Sequence, residues 1–185
     1  WMNVDAIVPP HGKMGAALTA MKRVRPDKNI LTIAGDGGAY AIGLGETTSA
    51  ALRNENVTMF VMNNTVFGMT GGQLAPTTMI GQKTASTPAG RNFVDNGENT
   101  DVFKLMKGMD IAYLARTSVT SPANINRTKK AVRKAIEKQQ AGKGFSLVEV
   151  LVPCPTNWHM TPVDSMKHID EVVSKVYELG EVIDR

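Results

Sequence analysis

The residues most suited to chemistry begin at Ile33-Ala34-Gly35-Asp36-Gly37-Gly38, where an apolar run ends in a glycine-rich turn carrying one carboxylate. Glycines in such a turn let backbone amides approach a phosphate closely. A carboxylate facing the same phosphates is favourable only with a cation between them. Mg²⁺ takes hard oxygen ligands, typically a carboxylate or two plus the phosphates of its partner. Asp36 is therefore read as a Mg²⁺ ligand. A second apolar run ends in Val61-Met62-Asn63-Asn64-Thr65-Val66. Residues 38–62, 25 in all, separate Gly37 from Asn63, which fits one helix and one returning strand. Neighbouring parallel strands would set Asp36 and Asn64 side by side, and a backbone carbonyl two residues on, at Val66, could complete the cation site. In a parallel α/β sheet, ligands bind at the carboxyl ends of strands.

The elements that must position these residues follow from hydrophobic spacing. Met14, Ala17, Leu18 and Met21 recur at helical intervals, predicting a helix over 12–24 that Arg25-Pro26-Asp27 stops. Residues 30–34 read as a buried strand, 39–52 as an Ala/Gly-rich helix and 57–62 as a second strand. The Gly/Thr/Pro-rich stretch 63–99 shows little periodicity and is too long for a passive connection. Further on, 101–108 reads as a short helix and 111–115 as a strand. Ser121-Pro122 is an N-cap with proline at the first helical position, opening a helix to about Gln140. A strong strand follows at 145–152. Thr161-Pro162 opens a last helix carrying Val163, Met166, Ile169, Val172, Val173 and Val176. Strands separated by helices predict an α/β fold, a mostly parallel sheet with helices on both faces.

Bulk properties narrow the class. The 185 residues, 42% hydrophobic, suit one domain spanning 1–185. No apolar run reaches about 18 residues, so no membrane span is expected, and no export signal opens the chain. The single cysteine, Cys154, excludes an intrachain disulfide and fits a reducing, cytoplasmic setting. A net charge of +4 is too mild to argue for nucleic acid. Seven cations, Arg127, Lys129, Lys130, Arg133, Lys134, Lys138 and Lys143, cluster in one stretch. They read as a solvated helix face or as a landing patch for an acidic protein or a phosphate-bearing substrate.

Gly-Asp-Gly after a strand, then the 25-residue spacer, then Asn-Asn, is the thiamine diphosphate signature. The run Asn64-Thr65-Val66-Phe67-Gly68-Met69-Thr70-Gly71-Gly72-Gln73-Leu74-Ala75-Pro76-Thr77-Thr78 resembles the β subunit of 2-oxoacid:ferredoxin oxidoreductases. So do Pro10-His11-Gly12, Gly81-Gln82-Lys83-Thr84 and Pro153-Cys154-Pro155-Thr156-Asn157-Trp158. The similarity runs over nearly the whole chain and leans towards the 2-oxoisovalerate, branched-chain type, with 2-oxoglutarate-using relatives as the alternative.

The resemblance implies a thiamine-diphosphate-binding fold and CoA-dependent oxidative decarboxylation of a 2-oxoacid, with electrons passed to ferredoxin. It carries over Asp36, Asn64 and the Val66 carbonyl as Mg²⁺ ligands. Gly35, Gly37 and Gly38 would face the diphosphate. The segment from Gly68 to Gln73, with Met69 and Thr70 at the cofactor, would close over it, where Thr70 can donate to phosphate oxygens. His11 and Gly12 would flank it. Cys154 resembles the fourth ligand of a four-iron four-sulfur cluster, whose other three thiolates the family supplies from an N-terminal segment that these residues do not include. The opening at Trp1 is accordingly expected to fall well inside the family's sequence. The carboxylate that activates the cofactor's pyrimidine is expected on an α subunit, with γ and δ subunits as further partners; neither Glu46 nor Glu55 is assigned that role. The basic stretch could dock an acidic ferredoxin. Two rival readings are a non-oxidative thiamine enzyme, such as a decarboxylase, and a fragment that holds cofactor without turnover.

Overall fold

A computed structural model describes residues 4–185; the expectation attached to Trp1 lies outside them. In chain order the elements are α1 (Met14–Val24), β1 (Leu31–Gly35), a π-helical turn (Gly38–Ile42) leading into α2 (Leu44–Leu52), and β2 (Thr58–Asn63). A small hairpin of β3 (Val66–Phe67) and β4 (Gln73–Leu74) follows, then α3 (Phe93–Asn96), α4 (Val102–Met106) and β5 (Tyr113–Ser118). The chain continues through α5 (Pro122–Gln140), β6 (Ser146–Leu151), α6 (Pro155–Trp158), α7 (Pro162–His168), a π-turn (Ile169–Val173), α8 (Ser174–Val176) and β7 (Gly180–Asp184).

The sheet order is β1-β2-β6-β5-β7. The first four strands are parallel and β7 is antiparallel on the edge. The mostly parallel α/β architecture expected from the element order is thus present. The edge strand β7 was not anticipated, because Gly180–Asp184 is mostly polar and exposed. Side chains of the covering helix α5 hold it: Lys134 pairs with Glu181 and Asp184 at 2.8 and 2.9 Å, and Lys138 pairs with Asp184 at 2.8 Å. Two of the seven clustered cations therefore anchor a strand. Arg127, Lys129, Lys130, Arg133 and Lys143 remain exposed.

Each sheet face has its own cover. Ala34, Met59, Val61, Leu114 and Leu147 pack beneath α1 and α2. Phe60, Tyr113, Ala115, Val148 and Val150 pack beneath α5 through Ala131 and Ala135. Ser121 caps α5 by accepting from the Asn124 amide, with Pro122 in the first turn as predicted. Helix α5 reaches β1 through Gln139, whose side chain bonds both the amide and the carbonyl of Ile30.

The boundary of β5 departs from expectation. Arg116-Thr117-Ser118 reads as the polar end of a strand, yet β5 runs through them. Arg116 continues the strand because its charge is matched inside: it lies in register with Glu149 of β6.

The stretch 63–99 holds little regular structure beyond the β3–β4 hairpin and α3, and its organiser is Arg91. This buried guanidinium has no carboxylate partner among the described residues; it donates instead to the carbonyls of Ala75, Pro76, Thr78, Asn96, Gly97 and Glu98 at 2.6–3.2 Å. Lysine has a single point of donation and cannot reproduce that fork. Arg91→Lys is expected to cost about 2 kcal/mol through orphaned buried carbonyls, and to raise proteolytic cutting within 63–99. Wild-type cutting rates would contradict this account of the loop.

Candidate functional site

The carboxyl ends of β1 and β2 carry the two segments singled out from sequence. Strand β1 passes into helix with no loop: Asp36 and Gly37 are already helical, and the π-turn begins at Gly38. Such a junction leaves the first helical amides without intrahelical partners, which suits an anion. Gly35 pairs with Met62 in the sheet register, so Asp36 and Asn63 leave neighbouring strands at one level. A Cβ on Gly35 would meet nothing within 4 Å, so there is open space beside this turn.

Side chains draw the segments closer. A Cβ on Gly37 would lie 2.3 Å from the Phe67 ring, so the glycine turn and the hairpin after Asn64 pack directly. Gly37→Ala, although its backbone is ordinary helix, must push Phe67 aside. An expected cost of about 1–3 kcal/mol, read by denaturant unfolding, checks this contact. Gly68 lies close to Asn64 Nδ2, Asn157 Nδ2 and Cys154 Sγ, at 3.0–3.6 Å from an added Cβ. Asn157 Nδ2 donates to the Gly68 carbonyl at 3.1 Å and to Cys154 Sγ at 3.2 Å. Trp158 Nε1 donates to the Asn64 carbonyl at 3.1 Å. The segment 153–158 therefore buttresses the Asn64–Gly68 turn.

The individual residues divide as follows. Asp36 is 1% exposed and accepts a short hydrogen bond from the Thr77 hydroxyl. Asn64 is half-buried, and its Oδ1 accepts from the Val66 amide at 3.2 Å. Gly12 packs against Ile42 and Gly43 at the end of the π-turn, and Met14 touches Gly38. His11 is exposed just before them. Met69 and Thr70 are exposed at the tip between β3 and β4, where Thr70 donates to Gln73 Oε1 at 2.7 Å. Among the described residues no group of three or more His, Cys, Asp or Glu side chains is placed to hold a metal. Glu46 pairs with Lys13, and Glu55 with Arg23 and Arg53, so both unassigned carboxylates serve surface ion pairs. A separate cavity of about 350 Å³, lined in part by Ser118, Asn124, Arg127, Lys130 and Glu181, lies between α5 and the β5–β7 edge.

Two functional groups escaped sequence reasoning. Glu149, fully buried in β6, accepts from Arg116 Nε at 2.6 Å, Asn63 Nδ2 at 3.2 Å and the Tyr40 hydroxyl at 2.8 Å. Arg116 also donates to Asp101 at 2.6 Å and stacks on Phe103, 3.9 Å from the ring centre. The available signal was one charged residue in each of two otherwise apolar runs. Burial works against the Arg116 charge, but Glu149 and Asp101 outweigh it and raise its proton affinity. Burial and the Glu149 charge push the Tyr40 hydroxyl up.

Burial also pushes the Asp36 carboxyl up to about 7, with the Thr77 hydrogen bond opposing and Glu149 assisting. The folded chain then holds a proton that the unfolded chain has released. Its stabilising effect is complete below about pH 4 and is lost as pH rises through about 7, at up to about 1.4 kcal/mol per unit. Metal-free protein is expected to lose stability between pH 4 and 7, and Asp36→Asn to flatten that slope. An unchanged slope in the variant would place the titration elsewhere.

A model of the family described as "Thiamine pyrophosphate enzyme, C-terminal TPP binding domain" matches residues 1–150. The chain belongs to that family, and the matched segment contains the strand-end turns described above. Its relatives include ketoisovalerate oxidoreductase subunit VorA of Methanothermobacter thermautotrophicus, 37% identical over 95% of this chain and 37% of the relative. Another is 2-oxoglutarate synthase subunit KorB of Archaeoglobus fulgidus, 37% identical over 92% of this chain and 60% of the relative. The chain thus spans 37% and 60% of the length of these two relatives. The fold matches a 2-oxoglutarate:ferredoxin oxidoreductase from Magnetococcus marinus, solved with 2-oxoglutarate, coenzyme A and succinyl-CoA bound, with a TM-score of 0.74 at 23% identity over 95% of this chain and 63% of that one. The resemblance read from the motifs is borne out by these relatives. No helix among the described residues is long and apolar enough to cross a membrane.

Proposed function

We propose that this chain is the thiamine-diphosphate-binding part of a 2-oxoacid:ferredoxin oxidoreductase, working with partner subunits. The observation that carries the reading is the buried carboxylate of Asp36 at a strand-to-helix junction, level with the Asn63–Val66 turn on the neighbouring strand. Asp36, Asn64 and the Val66 carbonyl would hold Mg²⁺, and the amides around Gly35, Gly37 and Gly38 would meet the diphosphate. The fit rests on the open space beside Gly35 and on a donor set of hard oxygens. Thiamine diphosphate, when bound, supplies the electron sink for bond cleavage next to a 2-oxoacid carbonyl. Gly68, Met69 and Thr70, at the exposed hairpin tip, would close over it and exclude water, while His11 and Gly12 would flank it. Cys154, beside Gly68, would offer one thiolate to a four-iron four-sulfur cluster completed by cysteines outside these residues. The exposed cations of α5 offer an acidic ferredoxin a complementary surface. Coenzyme A would take the acyl group, and 2-oxoisovalerate is favoured over 2-oxoglutarate as substrate.

The test is the intact protein, purified with the subunits that accompany it and given a panel of 2-oxoacids. Iron content and 2-oxoacid-dependent, CoA-dependent reduction of a viologen dye are expected. Activity without iron or dye reduction would favour a non-oxidative thiamine enzyme.

A further inference from the structure

Thr65, between the two proposed cation ligands, has φ +61°, a left-handed conformation that a β-branched residue resists. Such strain persists only where the surroundings over-determine it. Three contacts do so here. The Thr65 amide donates to Asn63 Oδ1 at 3.0 Å, its carbonyl accepts from Thr78 Oγ1 at 2.5 Å, and its hydroxyl accepts from Gln82 Nε2 at 2.8 Å. The first depends on which way the buried Asn63 amide points. Its Nδ2 donates to Glu149 Oε1, which leaves Oδ1 facing the turn. Glu149, acceptor-only when ionised, therefore decides the orientation of Asn63.

A second arm leaves the same hub. The Arg116 guanidinium lies 5.2 Å from the centre of the Tyr177 ring, the Tyr177 hydroxyl donates to the Thr77 carbonyl at 2.7 Å, and the Thr77 hydroxyl donates to Asp36. One buried ion pair thus braces both strand ends.

We infer that Glu149, acting through Asn63, is a positioning residue that holds the strained Asn63–Val66 turn so that Asn64 and the Val66 carbonyl face a divalent cation. This deepens the proposed function and rests on its assignment of Asp36, Asn64 and Val66 to that cation. Glu149 Oε1 accepts from both Asn63 and Arg116, so a glutamine would keep its oxygen there and turn its NH2 to the Tyr40 hydroxyl. Glu149→Met removes the acceptor at similar size, and the Asn63 amide is no longer held with Oδ1 towards the Thr65 N–H. Asn63→Ala removes the same link and leaves Glu149 bonded to Arg116 and Tyr40.

The experiment measures Mn²⁺ affinity in the presence of thiamine diphosphate, by the electron spin resonance of free Mn²⁺, on the intact protein and its variants. Unfolding curves confirm that each variant is folded at the temperature used. Both Glu149→Met and Asn63→Ala are expected to weaken Mn²⁺ about tenfold, the range seen for residues that orient a metal's ligands, whereas Glu149→Gln is expected to stay close to wild type. Adding Thr65→Gly to Asn63→Ala is expected to recover part of that loss, because glycine adopts this φ without strain. A role confined to packing would lower the unfolding midpoint and leave affinity unchanged. Wild-type affinity in both Glu149→Met and Asn63→Ala, with binding lost in Asp36→Ala, would overturn the inference and leave the cation site standing. Wild-type affinity in Asp36→Ala would remove the cation site itself.

Discussion

Asp36→Asn is expected to weaken Mg²⁺-dependent binding of thiamine diphosphate by at least about 100-fold, above the tenfold-to-hundredfold typical of residues that only support a metal's ligands. The same substitution is expected to leave the metal-free protein as stable as before at pH 8, or more so. The two expectations share one cause. Asp36 is buried to 1% exposure, and its ionised form has no cationic partner among the described residues. An uncompensated buried charge destabilises the fold unless a cation arrives. A site kept in this condition trades stability for function. The asparagine side chain is isosteric, still bonds the Thr77 hydroxyl and carries no charge, so the fold loses little and the cation loses its anionic ligand. Calorimetric titration with thiamine diphosphate and Mg²⁺, beside urea unfolding at pH 5 and 8, reads both effects. Retained affinity would refute the metal assignment; a large loss of stability at pH 8 would show that the carboxylate is satisfied by the protein alone.

Arg116→Met is expected to destabilise the protein by about 3–5 kcal/mol, the cost of removing one partner of a buried ion pair. Glu149 and Asp101 would both be left facing the vacated space, Glu149 with no exposure at all. Total stabilities of single domains are only about 5–15 kcal/mol, so the variant would sit near the limit of folding. Arg116→Met combined with Glu149→Gln is expected to recover at least about 1 kcal/mol, since directly bonded partners couple by about 0.5–3 kcal/mol. Methionine covers Phe103 as the guanidinium does, which separates loss of charge from loss of packing. Urea unfolding of the single and double variants measures the coupling. Strictly additive losses would mean that the pair does not interact as its 2.6 Å contact implies.

Much of the architecture was legible residue by residue. Helical spacing located α1 and α5, and the Ser121-Pro122 and Thr161-Pro162 caps placed two helix starts where α5 and α7 begin. The predicted final helix runs through α7, a π-turn and α8. Apolar, β-branched runs located β1, β2 and β6. Long helices and doubly buried strands were readable because each depends on a periodic pattern of neighbours along the chain. Strand β7 was not readable, because its place is set by pairing with β5 and by ion pairs to α5. The segment 63–99 looked shapeless because Arg91 organises it through backbone carbonyls, a kind of partner that side-chain patterns do not reveal.

The Gly35–Gly38 turn, the 25-residue spacer and the Asn63-Asn64 pair were legible along the chain, and they carry the proposal of a diphosphate-and-cation site because such ligands call for those residue types at the ends of adjacent strands. What packing alone settled is which way the groups face and how they are charged. Asp36 is turned inward against Thr77, Asn63 is oriented by Glu149 from a strand 86 residues away, and Arg116 neutralises Glu149 across the sheet. A buried charge is stable only beside partners that desolvation leaves it no choice but to use, and such partners are brought together by topology, not by nearness along the chain.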